Sequence, residues 1–495
     1  MGAYFGGEYL KLSQLLQNVA LLENHIDQDV EITSLSCDSR SLEPGALFVA
    51  LPGYRLDGRD FIEEALQKGA AAVLCETAPQ EAGPWLISAG ARGDFAILSA
   101  NWFGNPAREL CMIGVTGTNG KTTTTHLLKV MLEQVQGAKV GLIGTNQNMI
   151  GQQVFAAART TPESYDLHQL LRQMADAGCS HVVMEVSSHA LALHRVGGIM
   201  FQVALFTNLT QDHLDFHGTL ENYQAAKAKL FTQCETGIFN LDDETGRALA
   251  QESACKTFTY SENKGEADIL AENIRLFFDH VEFEALMTGA ICRVWLPIPG
   301  GFTIYNALGV IACGLVLGYP LREIAASLNT TTGVKGRVEV VPIPAPFTVI
   351  IDYAHTPDAL ERILLTARDF TQERLICVVG CGGDRDRSKR PIMAAIGADL
   401  SDILILTSDN PRTESPEAIL ADMEAGIAPE YKGHVVCELS RRRAISLALS
   451  KGRPGDVIVL AGKGHETYEE IGTTQHHLDE REEIAAYFRK SVTVG

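Results

Sequence analysis

The sequence is short of positive charge. Against 61 Asp and Glu it sets 41 Lys and Arg, a net charge of −20 over 495 residues. That balance argues against a broad nucleic-acid surface, which needs a basic footprint to neutralise phosphates. It leaves room for a nucleotide, because one pocket needs only a few local cations. Metal-binding cysteine spacing is also missing. The eleven cysteines are scattered, none forms a Cys-x-x-Cys pair, and Cys377 and Cys381 have no second Cys/His cluster to complete a zinc set. Buried free thiols in a reducing compartment are the ordinary reading. The longest apolar stretch, Ala307 to Tyr319, is too short to span a bilayer. The start, Met1-Gly2-Ala3-Tyr4-Phe5, has no basic segment ahead of an apolar core, so no signal peptide is expected. The expectation is a soluble cytoplasmic protein with no membrane insertion. The length suits about three domains, and a 46% hydrophobic content can fill their cores.

What the sequence does have is one phosphate-binding stretch. Cys111 to Val115 reads as a buried strand, Thr116-Gly117-Thr118-Asn119-Gly120 as a glycine turn, and Lys121-Thr122-Thr123 as the start of a helix running to about Gln134. In that order, backbone N–H groups and the positive helix end attract phosphate oxygens. Lys121 reaches the outer phosphates, and the Thr122 hydroxyl is placed to ligate Mg²⁺. The match to the common P-loop is imperfect: Val115 stands where that pattern has its first glycine.

Ahead of this stretch, Leu47 to Leu51 and Ala71 to Cys75 read as strands, with a helix over Phe61 to Lys68 between them. Asn101 to Pro106 reads as a linker. Two polar loops, Cys37-Asp38-Ser39-Arg40 and Gly53-Tyr54-Arg55-Leu56-Asp57-Gly58, are ordinary solvated turns when taken alone.

After it, alternating strands and helices predict a mostly parallel doubly wound sheet whose ligands sit at strand carboxyl ends. The strand His181 to Met184 ends in Glu185, an acid that would face the phosphate loop and hold Mg²⁺ directly or through water. Val203 to Phe206 runs into Asn208-Leu209-Thr210-Gln211-Asp212-His213-Leu214-Asp215. Spacing alone leaves that set open between metal ligation, a polar network and an exposed loop. In the helix expected from Leu220 to Phe231, Lys227 shares an apolar face with Leu220, Tyr223 and Leu230. Such a lysine must snorkel, pair or lose its charge, and snorkelling is the ordinary outcome. A desolvated, neutral amine could instead take up CO₂ as a carbamate. Gly333 to Glu339 reads as a glycine-rich hinge.

From there on, Thr348 to Ile351, Leu375 to Val379, Ile403 to Leu406 and Val457 to Leu460 predict a second doubly wound sheet. Each strand ends in a polar loop: Asp352 to His355, Gly380 to Arg387, Ser408 to Arg412, and Gly462 to Glu466. All four would crowd one rim. Arg beside Asp and Glu suits a zwitterion, Arg gripping a carboxylate and the acids an ammonium.

These motifs, taken together along the whole chain, resemble the Mur ligase family of ATP-dependent amide-bond ligases. The matching residues are Thr-Gly-Thr-Asn-Gly-Lys-Thr at 116–122, Glu-Val-Ser-Ser-His at 185–189, Asn-Leu-Thr-Gln-Asp-His-Leu-Asp at 208–215, Asp-Tyr-Ala-His at 352–355 and Gly-Lys-Gly-His-Glu at 462–466. Asp409-Asn410-Pro411-Arg412 is similar to the form associated with the diaminopimelate-adding branch. The resemblance implies three α/β domains: a small N-terminal UDP-binding domain over 1–108, a central P-loop-type ATPase domain over 109–336, and a Rossmann-like amino-acid-binding domain over 337–495. It implies that Cys37, Ser39, Tyr54, Arg55 and Leu56 hold a uridine nucleotide, and that Thr160, Thr161, Ser187 and Arg195 line the muramoyl-peptide path. ATP would lie on Gly117 to Thr123, with Asn306, Arg337 and Asp352 near adenine, phosphate and ribose. Lys121, Glu185, His213 and Lys227 would be catalytic, with Thr122, Glu185, His213 and a carbamylated Lys227 linked to Mg²⁺. Arg385, Asp409, Asn410, Pro411, Arg412, Gly462 and Glu466 would receive diaminopimelate. The implied partners are UDP-N-acetylmuramoyl-dipeptide, meso-diaminopimelate and ATP, on a monomer. Rival readings are a sister ligase adding L-lysine or D-Ala-D-Ala, a folate-polyglutamylating enzyme, and a P-loop NTPase switch.

Overall fold

A computed structural model describes residues 9–493 except 54–56, 78, 80–82 and 332. It contains three α/β domains, each built on its own sheet. The first sheet has five strands, in the spatial order Leu21–Asn24, Trp85–Ser88, Ala72–Cys75, Leu47–Val49, Leu35–Ser36. The helix Ala91–Trp102 packs on one face through Phe95 and Leu98. Asn101 and Trp102 close this helix, so the connection to the central sheet starts later than expected.

The central sheet has eleven strands. Its middle is parallel: Val140–Ile143, His181–Glu185, Cys111–Thr116, Phe201–Phe206, Cys234–Asn240 and Lys256–Ser261 lie side by side. Along these strands alternate side chains feed two cores. Met112, Val182, Met184 and Ala204 fill one, and Ile113, Val115, Val183 and Leu205 the other. That alternation follows from the two-residue period of a strand covered on both faces. The helix Phe302–Val316 is buried on nearly every side, which accounts for its uniform apolarity. Among the described residues no helix is long and apolar enough to cross a membrane.

Both edges depart from the parallel expectation. Asn148–Ile150 and Gln153–Phe155 form an antiparallel hairpin at one side. Ile269–Leu276, Val281–Met287 and Ala290–Leu296 form an antiparallel meander at the other. Its last turn is Thr288-Gly289, with Gly289 at φ +81°; a two-residue hairpin turn requires such an angle.

The third sheet orders its strands Glu339–Val341, Thr348–Asp352, Val457–Ala461, Leu375–Cys381, Ile403–Ser408, Val435–Cys437. All are parallel except the first. The four polar loops therefore leave the same edge of four adjacent strands.

Candidate active site between the central and third domains

The strand Cys111–Thr116 hands over to the helix Lys121–Gln136 through Gly117 and Gly120. Both glycines take positive φ, +144° and +86°. A Cβ on Gly117 would lie 1.9 Å from Thr207 Oγ1, and one on Gly120 2.5 Å from Asn306 Oδ1. The turn is gripped by the segment after the neighbouring strand. Thr118 N–H donates to the Asn208 carbonyl at 2.8 Å, Asn119 N–H to Asn208 Oδ1 at 2.9 Å, and Thr207 Oγ1 to the Asn119 carbonyl at 2.7 Å. The 207–210 stretch thus shapes the phosphate loop, a task that spacing alone had left open.

Lys121 folds back on its own loop, donating to the Gly117 and Thr118 carbonyls at 2.9 Å each. Burial lowers its pKa, while the Glu185 and Asp212 carboxylates oppose that. Lys227 does not snorkel. It is 1% exposed, donates to the Gly117 carbonyl at 2.8 Å and lies 4.4 Å from the centre of the Tyr223 ring. Burial and the charge of Lys121 push its pKa well down. Tyr223 and Leu230 share its buried face as expected, but Leu220 is 43% exposed: it is the first residue after the Thr219 cap, and the helix gives way to a tighter turn at Lys229–Thr232.

A cavity of about 520 Å³ opens beside this loop. Thr118 to Thr123, Thr160, Glu185, Ser187, His213, Asn306, Arg337 and Asp352 all line it. Glu185 is held at both oxygens by Thr145, through its N–H at 2.9 Å and its hydroxyl at 3.0 Å. The Thr145 hydroxyl also meets Thr160 Oγ1 at 3.0 Å. Thr161 Oγ1 donates to the Glu185 carbonyl at 2.8 Å and lies 3.3 Å from Ser187 Oγ. Arg195 donates to the Thr161 carbonyl at 3.2 Å and pairs with Glu163 at 2.7 Å. His213 sits in left-handed backbone, φ +53°, beside Asp212 at 3.4 Å and 4.9 Å from the ring of His189.

The third domain closes the cavity. Asp352 accepts the N–H groups of Val338 and Ala354 at 2.8 Å each, and burial raises its pKa. The Arg337 guanidinium lies 4.8 Å from the centre of the Tyr353 ring. Asp358 accepts from Asn119 Nδ2 at 2.7 Å and Thr210 Oγ1 at 3.0 Å, joining this domain to the phosphate loop.

The fit to Mg²⁺ is that of a phosphate-borne ion. Among the described residues no cluster of three His, Cys, Asp or Glu makes a metal cage. Glu185, Asp212, His213 and the threonines nevertheless share one cavity. Mg²⁺ favours one or two carboxylates together with substrate phosphates and water, and this donor set suits that.

Arg385, Asp409, Asn410, Pro411, Arg412, Gly462 and Glu466 do not line this cavity. Most of them gather next to it. Asn410 Nδ2 donates to Glu466 Oε2 at 2.8 Å. Arg412, at φ +49°, donates to Glu470 Oε2 at 2.8 Å and the Gly383 carbonyl at 2.9 Å. A Cβ on Gly462 would meet Asp409 Oδ2 at 2.5 Å. Burial raises the pKa of Asp409, but Lys463 and Arg441 outweigh it and hold the group below the usual range. Glu466 is raised by burial and by Asp409. Arg385 makes one long contact, 3.4 Å to the Asp384 carbonyl. Tyr353 joins the two groups of residues: it lines the cavity and its ring lies 5.0 Å from that of His465.

The N-terminal candidates stand apart. Ser39 is buried and donates to Glu64 Oε2 at 2.9 Å, and Cys37 is exposed. Tyr54, Arg55 and Leu56 lie outside the described residues. Sequence reasoning missed Thr145, Asp358, Lys463 and Glu470. The glycine before Thr145 was a usable signal: a Cβ on Gly144 would meet Glu185 Oε1 at 2.5 Å.

Three α/β domains, with a glycine phosphate loop at the central sheet's rim and a second charged rim beside it, define an ATP-dependent ligase architecture. Comparison with known proteins names it: models of the Mur ligase family match residues 31–102 (catalytic domain), 115–314 (middle domain) and 336–464 (glutamate ligase domain). A protein of Clostridium acetobutylicum named UDP-N-acetylmuramoyl-L-alanyl-D-glutamate--2,6-diaminopimelate ligase 1 is 43% identical, over 97% of this chain and 100% of its own. A Bacillus licheniformis relative named as the same ligase is 41% identical over 96% and 98%. A solved structure titled as that ligase superposes with a TM-score of 0.72 at 32% identity, covering 98% of this chain and 99% of its own. Folylpolyglutamate synthase of Mycobacterium tuberculosis shares the fold over 74% of this chain and 91% of its own, at TM-score 0.60 and 18% identity. The chain belongs to the Mur ligase family, whose members are ATP-dependent amide-bond-forming enzymes.

Proposed function

We propose that the protein joins meso-diaminopimelate to the D-Glu carboxylate of UDP-N-acetylmuramoyl-L-Ala-D-Glu, using ATP, in cytoplasmic peptidoglycan precursor synthesis. The observation that carries this reading is the charged rim beside the ATP cavity. Arg412, Arg385 and the Asn410 amide offer donors for a carboxylate, and Asp409 and Glu466 offer acceptors for an ammonium. The names of the relatives support the same amine.

A carboxylate does not acylate an amine unaided, because its oxygen is a poor leaving group. The acceptor's carboxylate oxygen attacks the ATP γ-phosphorus and ADP leaves, giving an acyl phosphate. The diaminopimelate amine then attacks the acyl carbon and phosphate leaves with the carboxylate's oxygen. Lys121, released from its loop carbonyls, neutralises the transferring phosphoryl group, a largely electrostatic task. Thr122, Glu185 and His213 would hold Mg²⁺, which would supply further neutralisation of phosphate charge. Burial and the charge of Lys121 lower the pKa of Lys227, which favours carbamate formation, and the carbamate would be an anionic ligand. Thr160, Thr161, Ser187 and Arg195 line the acceptor path, while Cys37, Ser39 and the 54–56 loop receive its uridine end. Asn306, Arg337 and Asp352 hold the nucleotide. The third domain excludes water that would hydrolyse the acyl phosphate. Residues 1–108, 109–336 and 337–495 divide the work between UDP, ATP and amino acid on a monomer.

Phosphate release with the UDP-muramoyl-dipeptide acceptor tests this, comparing diaminopimelate, L-lysine and D-Ala-D-Ala. Release dependent on diaminopimelate supports the proposal. Preference for another amine, or release independent of every amine, overturns it.

A further inference from the structure

One buried cation in the third domain has no part in the chemistry above. Lys463, between Gly462 and Gly464, is 0% exposed. Its ammonium donates to Asn410 Oδ1 at 2.9 Å and to the Tyr468 carbonyl at 2.8 Å. Its remaining reach is toward Asp409 Oδ1 at 3.5 Å and Glu466 Oε2 at 3.6 Å. Asn410 Oδ1 also accepts the Glu470 N–H at 2.9 Å. Both groups facing that atom, an ammonium and a backbone N–H, can only donate. The side-chain amide therefore has one permitted orientation: its oxygen points inward and its NH₂ points toward Glu466 and the rim. A flipped amide would set hydrogens against hydrogens in a buried place and leave donors unsatisfied.

The geometry points to Lys463 as the positioning residue that fixes the Asn410 amide, so that the rim presents a hydrogen-bond donor beside Arg412 to the ligand's carboxylate. This deepens the proposed function and rests on its assignment of the rim to an amino acid. The charge of Lys463 also lies 3.5 Å from Asp409 and 3.6 Å from Glu466; the positioning role is carried by the hydrogen bond to Asn410, which a neutral donor can replace. The rim so built sorts a zwitterion, with donors from Asn410 and Arg412 on one side and acceptors from Asp409 and Glu466 on the other. An amine lacking the neighbouring carboxylate would face an unmatched donor pair.

Two variants test it by steady-state kinetics on the full chain, with thermal melting as the check of folding. Lys463→Met frees the amide to rotate and is expected to raise KM for diaminopimelate tenfold or more, with KM for ATP within twofold of the parent. Lys463→Gln keeps a donor toward Asn410 Oδ1 and is expected to recover most of that loss. Asn410→Asp reads the orientation directly. Its inner oxygen still accepts from Lys463 and the Glu470 N–H, while its outer oxygen replaces the NH₂ that faces Glu466 and the rim. With that donor gone, KM for diaminopimelate is expected to rise at least as much, with thermal melting checking that the fold holds. If Lys463→Met does not fold, Asn410→Asp decides alone. An unchanged diaminopimelate KM in Asn410→Asp, or in a folded Lys463→Met, overturns the role of Lys463. Failure of the parent enzyme to use diaminopimelate at all would instead overturn the proposed function.

Discussion

Asp358, at the start of a third-domain helix, accepts a hydrogen bond from Asn119 of the phosphate loop at 2.7 Å. The same Oδ2 accepts from Thr210 at 3.0 Å. One carboxylate thus ties the third domain to the glycine turn and to the segment that shapes that turn. Hydrogen bonds to a charged group contribute about 1.5–3 kcal/mol. Asp358→Ala should therefore lower kcat/KM for ATP by roughly tenfold or more and open the molecule. Solution scattering should show a larger radius of gyration in the variant. Unchanged scattering with unchanged kinetics would mean that the contact holds nothing.

Lys121 is the cation proposed to meet the γ-phosphate, and its partners are loop carbonyls. Lys121→Met keeps the stem and removes the charge. By analogy with lost oxyanion donors, kcat should fall roughly a hundred- to a thousand-fold while the melting temperature holds. A variant that keeps more than a tenth of the parent rate would show that the charge is dispensable.

Lys227 is buried against the Gly117 carbonyl with its pKa driven down by burial and by Lys121. Lys227→Ala should be nearly inactive, and acetate or formate should restore part of the rate by supplying the missing carboxylate. Restoration by methylamine and not by acetate would indicate that the amine itself is what the enzyme uses.

His168 is fully buried, its Nε2 lies 3.3 Å from the Gly197 carbonyl, and burial pulls its pKa down to about 4. The unfolded chain binds this proton near pH 6.5, so it binds more protons than the folded chain between those values. Stability should fall as pH drops from 6.5 toward 4, by up to roughly 3 kcal/mol from this group. Denaturant midpoints across that range, compared with His168→Asn, check this. The variant should show the shallower pH dependence, and parallel curves would remove His168 as the cause.

The catalytic side of this architecture was legible because strand-end chemistry is local. Cys111 to Thr123 carries strand, turn and helix signals within thirteen residues, and Asp352, Asn410 and Glu466 each follow a plainly apolar strand. The antiparallel edges were missed although Val281, Phe283 and Ala285 alternate with half-buried neighbours and Thr288-Gly289 marks a hairpin. A prior expectation of strand–helix alternation hid that two-residue period. Taken from its own stretch alone Lys227 reads as a snorkelling lysine, and only the family resemblance pointed elsewhere, because its burial depends on the Gly117 carbonyl, 110 positions away. Asp358 escaped for the same reason, since it acts through Asn119 and Thr210, far away in sequence; Lys463 stood inside a quoted motif, but its hydrogen bond to Asn410 spans 53 positions.

The central claim is that the acceptor's carboxylate is activated by phosphoryl transfer and then captured by an amine. Label transfer tests it most directly. With ¹⁸O in the acceptor's D-Glu side-chain carboxylate and ordinary water, the released phosphate should carry one labelled oxygen for each amide bond formed. Phosphate that takes its new oxygen from the solvent would contradict the claim, because water rather than the bound acid would then be the group that attacks ATP.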